Sequence, residues 1–347
     1  MEVLRKVMLL ENSSQPSEFR PRSELTITAV LPVRNRQHYT LAILQQLQEQ
    51  SQQQDIPLQV VVVDDASTDG TPELISSHFP QVHLLAGDGN LWWTGAIAQG
   101  MQYAVETLAS DYIVWLNDDI TLAADFLTNL LQVCQENADQ KVITGGIVRD
   151  QTYPDWVVYG GVLNSQLINS LEPFRAQSTL TVHTLNGNLA VIPVQLVKMI
   201  GLPNAERFQH YGGDYEYICR AKAQGYAIHL SSRLQATTHF QITDIVRHMP
   251  LTLQWYLAPT WSAKKQVFQQ LTSLKSPQNV QHMVNSIYRS QQSVPRWKYV
   301  IFYLRKVVKL FLSQVTPPPK QQQQLADYLR RHQIPEPIAQ EILSRHF

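Results

Sequence analysis

Cysteine is scarce in this chain. Its 347 residues include only two, Cys134 and Cys219, which fall in predicted helices and have no metal-ligand spacing. Such a pattern excludes a disulfide framework and a cysteine-based zinc site, and it favours a reducing compartment with two ordinary thiols. We therefore expect a cytoplasmic protein.

Features that would direct the chain elsewhere are also missing. The first residues read MEVLRKVMLL, but Arg5 and Lys6 interrupt the apolar stretch and no small-residue cleavage site follows, which argues against a signal peptide.

The loop GDGNLWWTG has glycines at 87, 89 and 95, which is not the spacing of a dinucleotide-binding hydride-transfer enzyme. In the same loop Trp92 and Trp93 are adjacent, so they cannot both face the same way. One of them can stack on a ligand while the other packs inward, although two core tryptophans are the commoner explanation.

Neither sign of charge is in excess, yet the charges are unevenly distributed. Residues 245–347 hold 14 Lys or Arg against 3 Asp or Glu, while residues 1–244 hold 14 against 25. The change near 242–250 predicts a domain boundary. No nucleic-acid module accompanies the basic residues, so we expect no nucleic-acid partner. The predicted regions are an N-terminal extension (1–24), a main domain (25–244), a basic helical extension (245–316) and a segment with the linker TPPPKQQQQ and a short helix (317–347).

Three strand, loop and helix units are predicted before residue 135. The strands are 25–31, 58–63 and 112–116, and a helix is expected from 39 to about 50. The consecutive valines of the second strand indicate burial on both faces. Strands alternating with helices predict an α/β fold with a mostly parallel sheet, whose loops of interest share one edge.

Adjacent carboxylates leave the third of these strands. Asp118 and Asp119 follow the run YIVWLN, at the strand end where parallel sheets bind ligands. Paired carboxylates suit a hard divalent cation that holds a phosphate, although Asn-Asp-Asp is also an ordinary turn sequence. As the last residue of the pair, Asp119 is the best candidate ligand.

Several motifs in order carry a family resemblance. AVLPVRNR, VVVDDASTDGT, GDGNLWWTGAIAQGM and WLNDDI resemble the nucleotide-binding half of a family-two glycosyltransferase of the GT-A fold, and the subtype resembles rhamnosyltransferases. The later stretch from Asn186 to Tyr226 resembles the acceptor half of that family. The resemblance covers about residues 25–240. It implies transfer of a hexosyl or deoxyhexosyl group from a nucleotide-diphosphate sugar to a hydroxyl of a glycan or lipid-linked acceptor, in cell-envelope polysaccharide biosynthesis.

The same resemblance implies roles for particular residues. It gives the metal, Mn²⁺ or Mg²⁺, to Asp119 and a late histidine, His239, and it implies that Asp118 meets the ribose or assists through water. It implies that Asp65 hydrogen-bonds the nucleobase and that Pro32 to Asn35 form the other wall of the donor site. Alternatively, Asp65 caps the next helix. The alternative for His239 is that it is a structural histidine that binds no metal.

Transfer to a hydroxyl requires a base, because an alcohol is a poor nucleophile until its proton is being removed. We identify Asp214 in HYGGDYEYICR as that base, presented at a helix start. The family usually has Glu where this chain has Gly213, which leaves Glu216 as a competing base. On a helix, residues 214 and 216 point about 200° apart, so only one faces the site. One base and no covalent nucleophile predict inversion of the anomeric configuration.

The run WKYVIFYLRKVVKLFL at 297–312 predicts an amphipathic helix. Lys298, Arg305 and Lys309 share one sector, and the apolar side contains Val300, Leu304, Val307, Val308 and Phe311. A spanning segment is disfavoured, because each charge at the bilayer centre costs roughly 2.5 to 3.5 kcal/mol. We favour packing of the apolar side on the main domain. The alternative is contact with anionic lipid on the inner face of the plasma membrane, near a lipid-linked acceptor.

Two other function classes remain open. A sugar-phosphate nucleotidyltransferase would share the sheet and the metal, but it needs a glycine-rich phosphate loop after the first strand, where VRNR has no glycine. A non-catalytic carbohydrate-binding scaffold would retain the fold without the chemistry, and the Gly213 departure favours it.

Overall fold

The computed structural model describes residues 25–291 and 293–344, so the predicted N-terminal extension lies outside the described residues. The strands are β1 Ile27–Val33, β2 Gln59–Asp64, β3 His83–Ala86, β4 Tyr112–Leu116, β5 Thr121–Leu122, β6 Val142–Asp150, β7 Val157–Tyr159, β8 Gly161–Leu163, β9 Gln166–Leu167, β10 Thr179–Thr181, β11 Thr184–Leu185, β12 Leu189–Pro193 and β13 Ala227–Thr238. The helices are α1 Gln37–Gln54, α2 Thr71–His78, α3 Trp92–Glu106, α4 Phe126–Glu136, α5 Val194–Ile200, α6 Gly213–Ala223, α7 Ile242–His248, α8 Leu251–Leu257, α9 Trp261–Gln269, α10 Val280–Ile287, α11 Arg296–Ser313, α12 Pro318–Arg331 and α13 Glu336–Ser344.

A central sheet in the order β10-β13-β6-β12-β4-β1-β2-β3 organises the fold. Strands β3, β2, β1 and β4 are mutually parallel, β12 runs antiparallel between β4 and β6, and β13 is parallel to β6. Val30, Val61 and Trp115 are fully buried on one face of the sheet, and Leu31 and Val62 on the other. The α/β class with a mostly parallel sheet is confirmed, and burial on both faces explains the valine run.

The predicted strand 112–116 is confirmed at both ends. The other early elements are shifted or longer than predicted, as β1 is Ile27–Val33 and α1 is Gln37–Gln54. Both cysteines lie in helices, Cys134 in α4 and Cys219 in α6. The strand ends Val33, Asp64 and Leu116 are neighbours or near neighbours in the sheet, so the loops that follow them meet at one edge.

Helices α7, α8, α12 and α13 pack on the α/β domain through an apolar core. Ile245 and Met249 join Trp156 from the main domain and Leu325 and Leu329 from α12 in one buried cluster. The extension is therefore attached by hydrophobic burial. The predicted linker TPPPKQQQQ is wrong, because α12 begins at Pro318 and includes the glutamines. Proline is well placed in a first turn, where its missing N–H is not needed, and glutamine is a good helix former.

The amphipathic helix is present as α11, but the favoured packing of its apolar side is wrong. Val300, Leu304, Val308 and Phe311 are each more than half exposed. The helix packs instead through another face, on which Leu310 is buried. Among the described residues, no helix combines the length and the hydropathy that crossing a membrane requires.

Candidate active site

A cleft of about 1400 Å³ opens at the edge where β1, β2 and β4 end. Its walls come from the loops after these strands, from the start of α6 and from the C-terminal helices. This is the ligand-binding position of open parallel sheets. The predicted site residues that line it are Pro32, Asn35, Asp65, Asp118, Asp119 and Asp214. His239 is the one predicted site residue that does not.

One arginine holds both carboxylates of the acidic loop. Arg36 Nε donates to Asp118 Oδ1 at 2.7 Å, and Arg36 Nη2 lies 2.9 Å from Asp119 Oδ2. Thr40 Oγ1 also donates to Asp118, at 3.1 Å. The side chain of Asp118 is 4% exposed and that of Asp119 is 41% exposed. Burial raises the pKa of Asp118 to about 6, against the opposing effect of Arg36, whereas Asp119 offers an accessible carboxylate.

The protein side chains of the acidic loop fit a divalent cation only if a substrate supplies the remaining ligands. Within the described ranges there is no group of three or more His, Cys, Asp or Glu side chains placed to hold a metal ion. Magnesium-type sites that use one or two carboxylates together with substrate phosphates do not need such a group. Asp119 fits this second kind of site, because its oxygens are accessible from the cleft. Asp118 is held mainly by protein donors.

Asp65 organises the loop that leads into α3. Its Oδ1 accepts the backbone N–H of Gly89 at 2.7 Å and of Leu91 at 3.2 Å, and its Oδ2 accepts that of Trp92 at 3.0 Å. Arg34 lies 3.6 Å away and also donates to the Gly89 carbonyl. Asp65 thus caps the start of α3. The sequence suggested that it caps α2, the helix that precedes α3 in the chain. That Asp65 hydrogen-bonds a nucleobase stays a prediction. Its carboxylate already accepts hydrogen bonds from three backbone N–H groups.

Asp214 lies in the first turn of α6, as predicted. Its Oδ2 accepts the backbone N–H of Gly187 at 2.9 Å, and its Oδ1 accepts that of Tyr215 at 2.8 Å. Burial raises the pKa of Asp214 to about 6, in spite of these two hydrogen bonds. A carboxylate of this kind is ionised at neutral pH but basic enough to receive a proton.

The competing acid Glu216 is occupied elsewhere. Arg220 Nε donates to its Oε1 at 2.6 Å and Arg220 Nη2 to its Oε2 at 3.1 Å. Glu216 is buried and does not line the cleft. The two acids therefore point apart as the helical geometry requires, and Asp214 is the one that faces the cleft.

Packing explains the Gly213 departure. A Cβ at position 213 would lie 2.4 Å from Thr94 Oγ1 and 2.6 Å from Thr94 Cγ2. The glycine thus fits the close contact between α6 and α3, and its presence says nothing against catalysis. Gly187 is similarly confined, since a Cβ there would meet the Trp93 ring at 2.4 Å.

Hydrogen bonds connect the acidic loop with the Asp214 loop. Asn117 Nδ2 donates to Asn188 Oδ1 at 2.6 Å, and Trp93 Nε1 donates to Asn117 Oδ1 at 3.0 Å. Gly187, the neighbour of Asn188, donates to Asp214. Residues 186–188 therefore fix the position of the base relative to that of the acidic pair.

The adjacent tryptophans have different surroundings, and stacking of either one on a ligand stays a prediction. Trp93 packs edge-on against Trp115, with ring centroids 5.6 Å apart, while Trp92 lies 5.6 Å from the His210 ring in the cleft wall. Trp92 adopts the left-handed conformation, at φ 55°, and its N–H reaches Asp65. Burial lowers the pKa of His210 to about 4, so its imidazole is uncharged at neutral pH.

His239 follows the end of β13 and is exposed. Its neighbour Thr238 does reach the acidic loop, because Thr238 Oγ1 donates to the Asp119 carbonyl at 2.9 Å. The residue before His239 therefore contacts Asp119, the candidate metal ligand, yet the His239 side chain is not part of the cleft wall. Its metal role stays a prediction.

Sequence reasoning missed Arg36, Asn117 and Asn188 as parts of the site. The sequence shows Arg36 only as part of the loop VRNR, which lacks the glycines of a phosphate loop, and Asn117 only as part of a turn sequence. The available signal was position, because Arg36 and Asn117 each belong to a loop that leaves a predicted strand.

Residues 28–189 match the family described as Glycosyl transferase family 2. Residues 28–189 therefore have the sequence pattern of a glycosyl transferase family 2 domain. The predicted family, the GT-A type fold and the assignment as a glycosyltransferase are thereby confirmed, while the rhamnosyltransferase-like subtype stays a prediction. The matched residues include the acidic pair and Asp65, whereas Asp214 and His239 follow the end of the match.

Solved structures resemble the chain weakly. A mannosyltransferase, PcManGT, from Pyrobaculum calidifontis in complex with GDP-Man and Mn²⁺ is 16% identical over 99% of this chain and 92% of its own, with a TM-score of 0.49. GalNAc-T7 with UDP, GalNAc and Mn²⁺ is 14% identical over 72% of this chain and 51% of its own, with a TM-score of 0.48. Residues 1–349 of TarS from S. aureus are 13% identical over 93% and 89%, with a TM-score of 0.46. Likeness at this level carries no argument about function. No curated protein matches the sequence significantly.

Proposed function

We propose that this glycosyltransferase moves a hexosyl or deoxyhexosyl group from a nucleotide-diphosphate sugar to an acceptor hydroxyl, with inversion at the anomeric carbon. The observation that carries the proposal is that Asp119 and Asp214, 95 positions apart in the sequence, line one cleft. The loop at 186–188 ties the two together. We assign Asp119 to the leaving group and Asp214 to the nucleophile.

The donor end of the cleft lies between Pro32, Asn35 and Asp65. Asn35 connects two loops, since its N–H donates to Ser67 Oγ at 2.7 Å and its Oδ1 accepts the Thr68 N–H at 2.7 Å. We assign the nucleobase and ribose to this end, with Asp118 toward the ribose. The preformed loops reduce the entropy that is lost when a donor binds.

Asp119 is the residue that would hold a divalent cation, Mn²⁺ or Mg²⁺, completed by the donor diphosphate. When bound, such a cation supplies positive charge to the leaving diphosphate. The cation would bind beside the protein's own positive charge, because the Arg36 guanidinium lies 2.9 Å from the Asp119 carboxylate. His239 is kept as a proposed further ligand on the resemblance alone.

Asp214 is the proposed base. With a pKa of about 6 it is mostly a carboxylate at neutral pH, and the acceptor hydroxyl can give it a proton as the oxygen attacks. Glu216 is held by Arg220, so Asp214 is the one base identified. A single displacement at the anomeric carbon inverts its configuration.

The acceptor would be a glycan or a lipid-linked sugar, in cell-envelope polysaccharide biosynthesis. Aromatic and apolar side chains cover the far wall of the cleft, among them Tyr159, Phe240, Phe302 and Tyr328. Such a surface suits the faces of sugar rings and apolar aglycones. A cytoplasmic protein bound at the inner face of the plasma membrane, through residues 297–312, would meet such acceptors.

The proposal is tested by donor turnover with Mn²⁺ or Mg²⁺, measured as release of the nucleoside diphosphate from a panel of nucleotide sugars. Asp119→Asn and Asp214→Asn should each lose most turnover while remaining folded. Asp55→Asn is the matched control, because Asp55 is an exposed residue at the end of α1 in a left-handed conformation that asparagine tolerates.

Each outcome separates the function classes. A wild type that binds no donor would favour the non-catalytic scaffold. Formation of a nucleotide sugar from a sugar phosphate and a nucleoside triphosphate would identify the nucleotidyltransferase instead. A product with retained anomeric configuration would refute the single displacement.

A further inference from the structure

Helix α11 presents an apolar surface to solvent. In the described part of the chain, eight of the fourteen exposed large hydrophobic side chains fall between positions 297 and 315. Those within the helix are spaced by three or four residues or are direct neighbours of such positions, so they occupy one side of it. This apolar stripe consists of Trp297, Val300, Ile301, Leu304, Val308, Phe311, Leu312 and Val315.

The stripe is not the face by which α11 is held in the fold. Leu310 is 2% exposed on another side, Tyr303 packs on Phe268 with ring centroids 6.3 Å apart, and Tyr299 Oη donates to Asn285 Oδ1 at 2.7 Å. The helix thus has a packed face and a second, uncovered apolar face. Contiguous exposed apolar surface of this extent marks an interaction site.

Charge around the stripe has one sign. Residues 245–326 contain eleven Lys or Arg and no Asp or Glu. On α11 itself, Arg305 and Lys309 are exposed and Lys298 is half-buried, and their helical positions place all three along one border of the stripe. Long basic side chains at the border of an apolar face can reach lipid headgroups while the face itself enters the acyl boundary.

We propose that the apolar stripe docks on an anionic membrane surface, with α11 lying in the plane of the interface. A second copy of the chain is disfavoured as the occupant, because a symmetric contact would bring the basic borders of two stripes, with Arg305 and Lys309 on each, close together. Nucleic acid is disfavoured because its phosphates would leave eight apolar side chains uncovered. An anionic lipid surface satisfies the charge and the apolar area at the same time.

Docking would also orient the cleft, a consequence that rests on the proposed function. Phe302 of α11 and Ile287 of α10 both line the cleft, and Ile287 is 57% exposed. The wall of the cleft that these residues form therefore lies next to the docked helix. A lipid-linked acceptor would enter from that side.

Flotation of the full chain with vesicles tests the docking without any donor or acceptor. The wild type should float with vesicles of phosphatidylcholine and phosphatidylglycerol and far less with phosphatidylcholine alone. Leu304→Glu with Val308→Glu should weaken partitioning by at least about tenfold, because two charges enter the apolar face. Met199→Glu is the control, since Met199 is 48% exposed on α5, outside the stripe. Circular dichroism checks that each variant is folded.

A second arm tests the charges. Arg305→Gln with Lys309→Gln should weaken partitioning by roughly fivefold for each cation removed. Lys222→Gln, at an exposed cation on α6, should leave it unchanged. Wild type that does not float, or stripe variants that float like wild type, would overturn the proposal. So would a wild-type dimer that does not float and that the stripe variants convert to monomer. Wild type that floats but transfers no sugar would instead contradict the proposed function alone.

Discussion

Arg36 Nη2 lies 2.9 Å from Asp119 Oδ2, in the position of a cation beside the accessible carboxylate of the acidic loop. The same guanidinium bonds Asp118 at 2.7 Å. One positive charge thus serves two carboxylates, and it belongs to the protein. A divalent cation that binds at Asp119 must do so next to this guanidinium, which opposes its entry.

Removal of Arg36 should strengthen metal binding in the absence of donor. In Arg36→Gln the two carboxylates lose their counter-ion, and a unit charge about 4 Å away is worth between about 1 and 4 kcal/mol. We expect the Kd for Mn²⁺ at pH 8 to fall by about tenfold, as measured by titration with electron paramagnetic resonance detection. Arg330→Gln, at an exposed arginine of α12, is the control. An unchanged or weaker Kd would show that Mn²⁺ does not bind at this pair.

The pH profile should report the base. Burial raises the pKa of Asp214 to about 6, and catalysis needs its ionised form, so kcat/KM should fall as the pH drops through 6 and level off above it. Asp118 has a pKa raised to the same region, so the assignment requires a variant. Asp214→Asn should lower kcat by about 10²- to 10⁴-fold and flatten the acid limb of the residual activity. An acid limb that persists in Asp214→Asn would assign it to another group.

Gly213→Ala should destabilise the protein by about 1–3 kcal/mol, because its Cβ would overlap Thr94 Oγ1. In the double variant with Thr94→Ala, part of that loss should be recovered, since the two atoms in closest contact are gone. Denaturant unfolding of the two single variants and the double variant measures the coupling. Strictly additive free energies of unfolding would contradict the packing explanation of this glycine.

His239→Ala tests the residue on which the resemblance and the geometry differ. If His239 completes the metal site, the Mn²⁺ concentration for half-maximal turnover should rise by about tenfold, as loss of supporting groups around a metal typically costs 10- to 100-fold. The exposed His78 of α2 provides a control variant, His78→Ala. Unchanged metal dependence would remove His239 from the site.

The local sequence predicted the structure well where a single segment forms a strand or a helix and also contains the candidate functional residues. The valine run at 60–63 and the stretch 112–116 predicted buried parallel strands, and each delivers its acidic residues to the expected edge. Asp214 was likewise placed at a helix start by its neighbouring glycines. These predictions succeed because strand burial, turn chemistry and helix starts depend on residues close in sequence.

Contacts between distant segments could not be predicted in the same way. The capture of Asp118 by Arg36 spans 82 positions, and the contact of Gly187 with Asp214 spans 27. The orientation of α11 also escaped prediction, because the helix has apolar residues on two sides and periodicity alone does not say which side is buried.

The sequence by itself determined the fold class, the family and the acidic residues that leave the strands, because apolar periodicity and strand-end loops are local properties of the chain. The tertiary structure alone decided that Asp214 and not Glu216 faces the cleft, that Arg36 pairs with both carboxylates of the acidic loop and that the apolar stripe of α11 is open to solvent. Each of these depends on which partner a side chain meets across the fold, and burial and charge pairing are set by that partner.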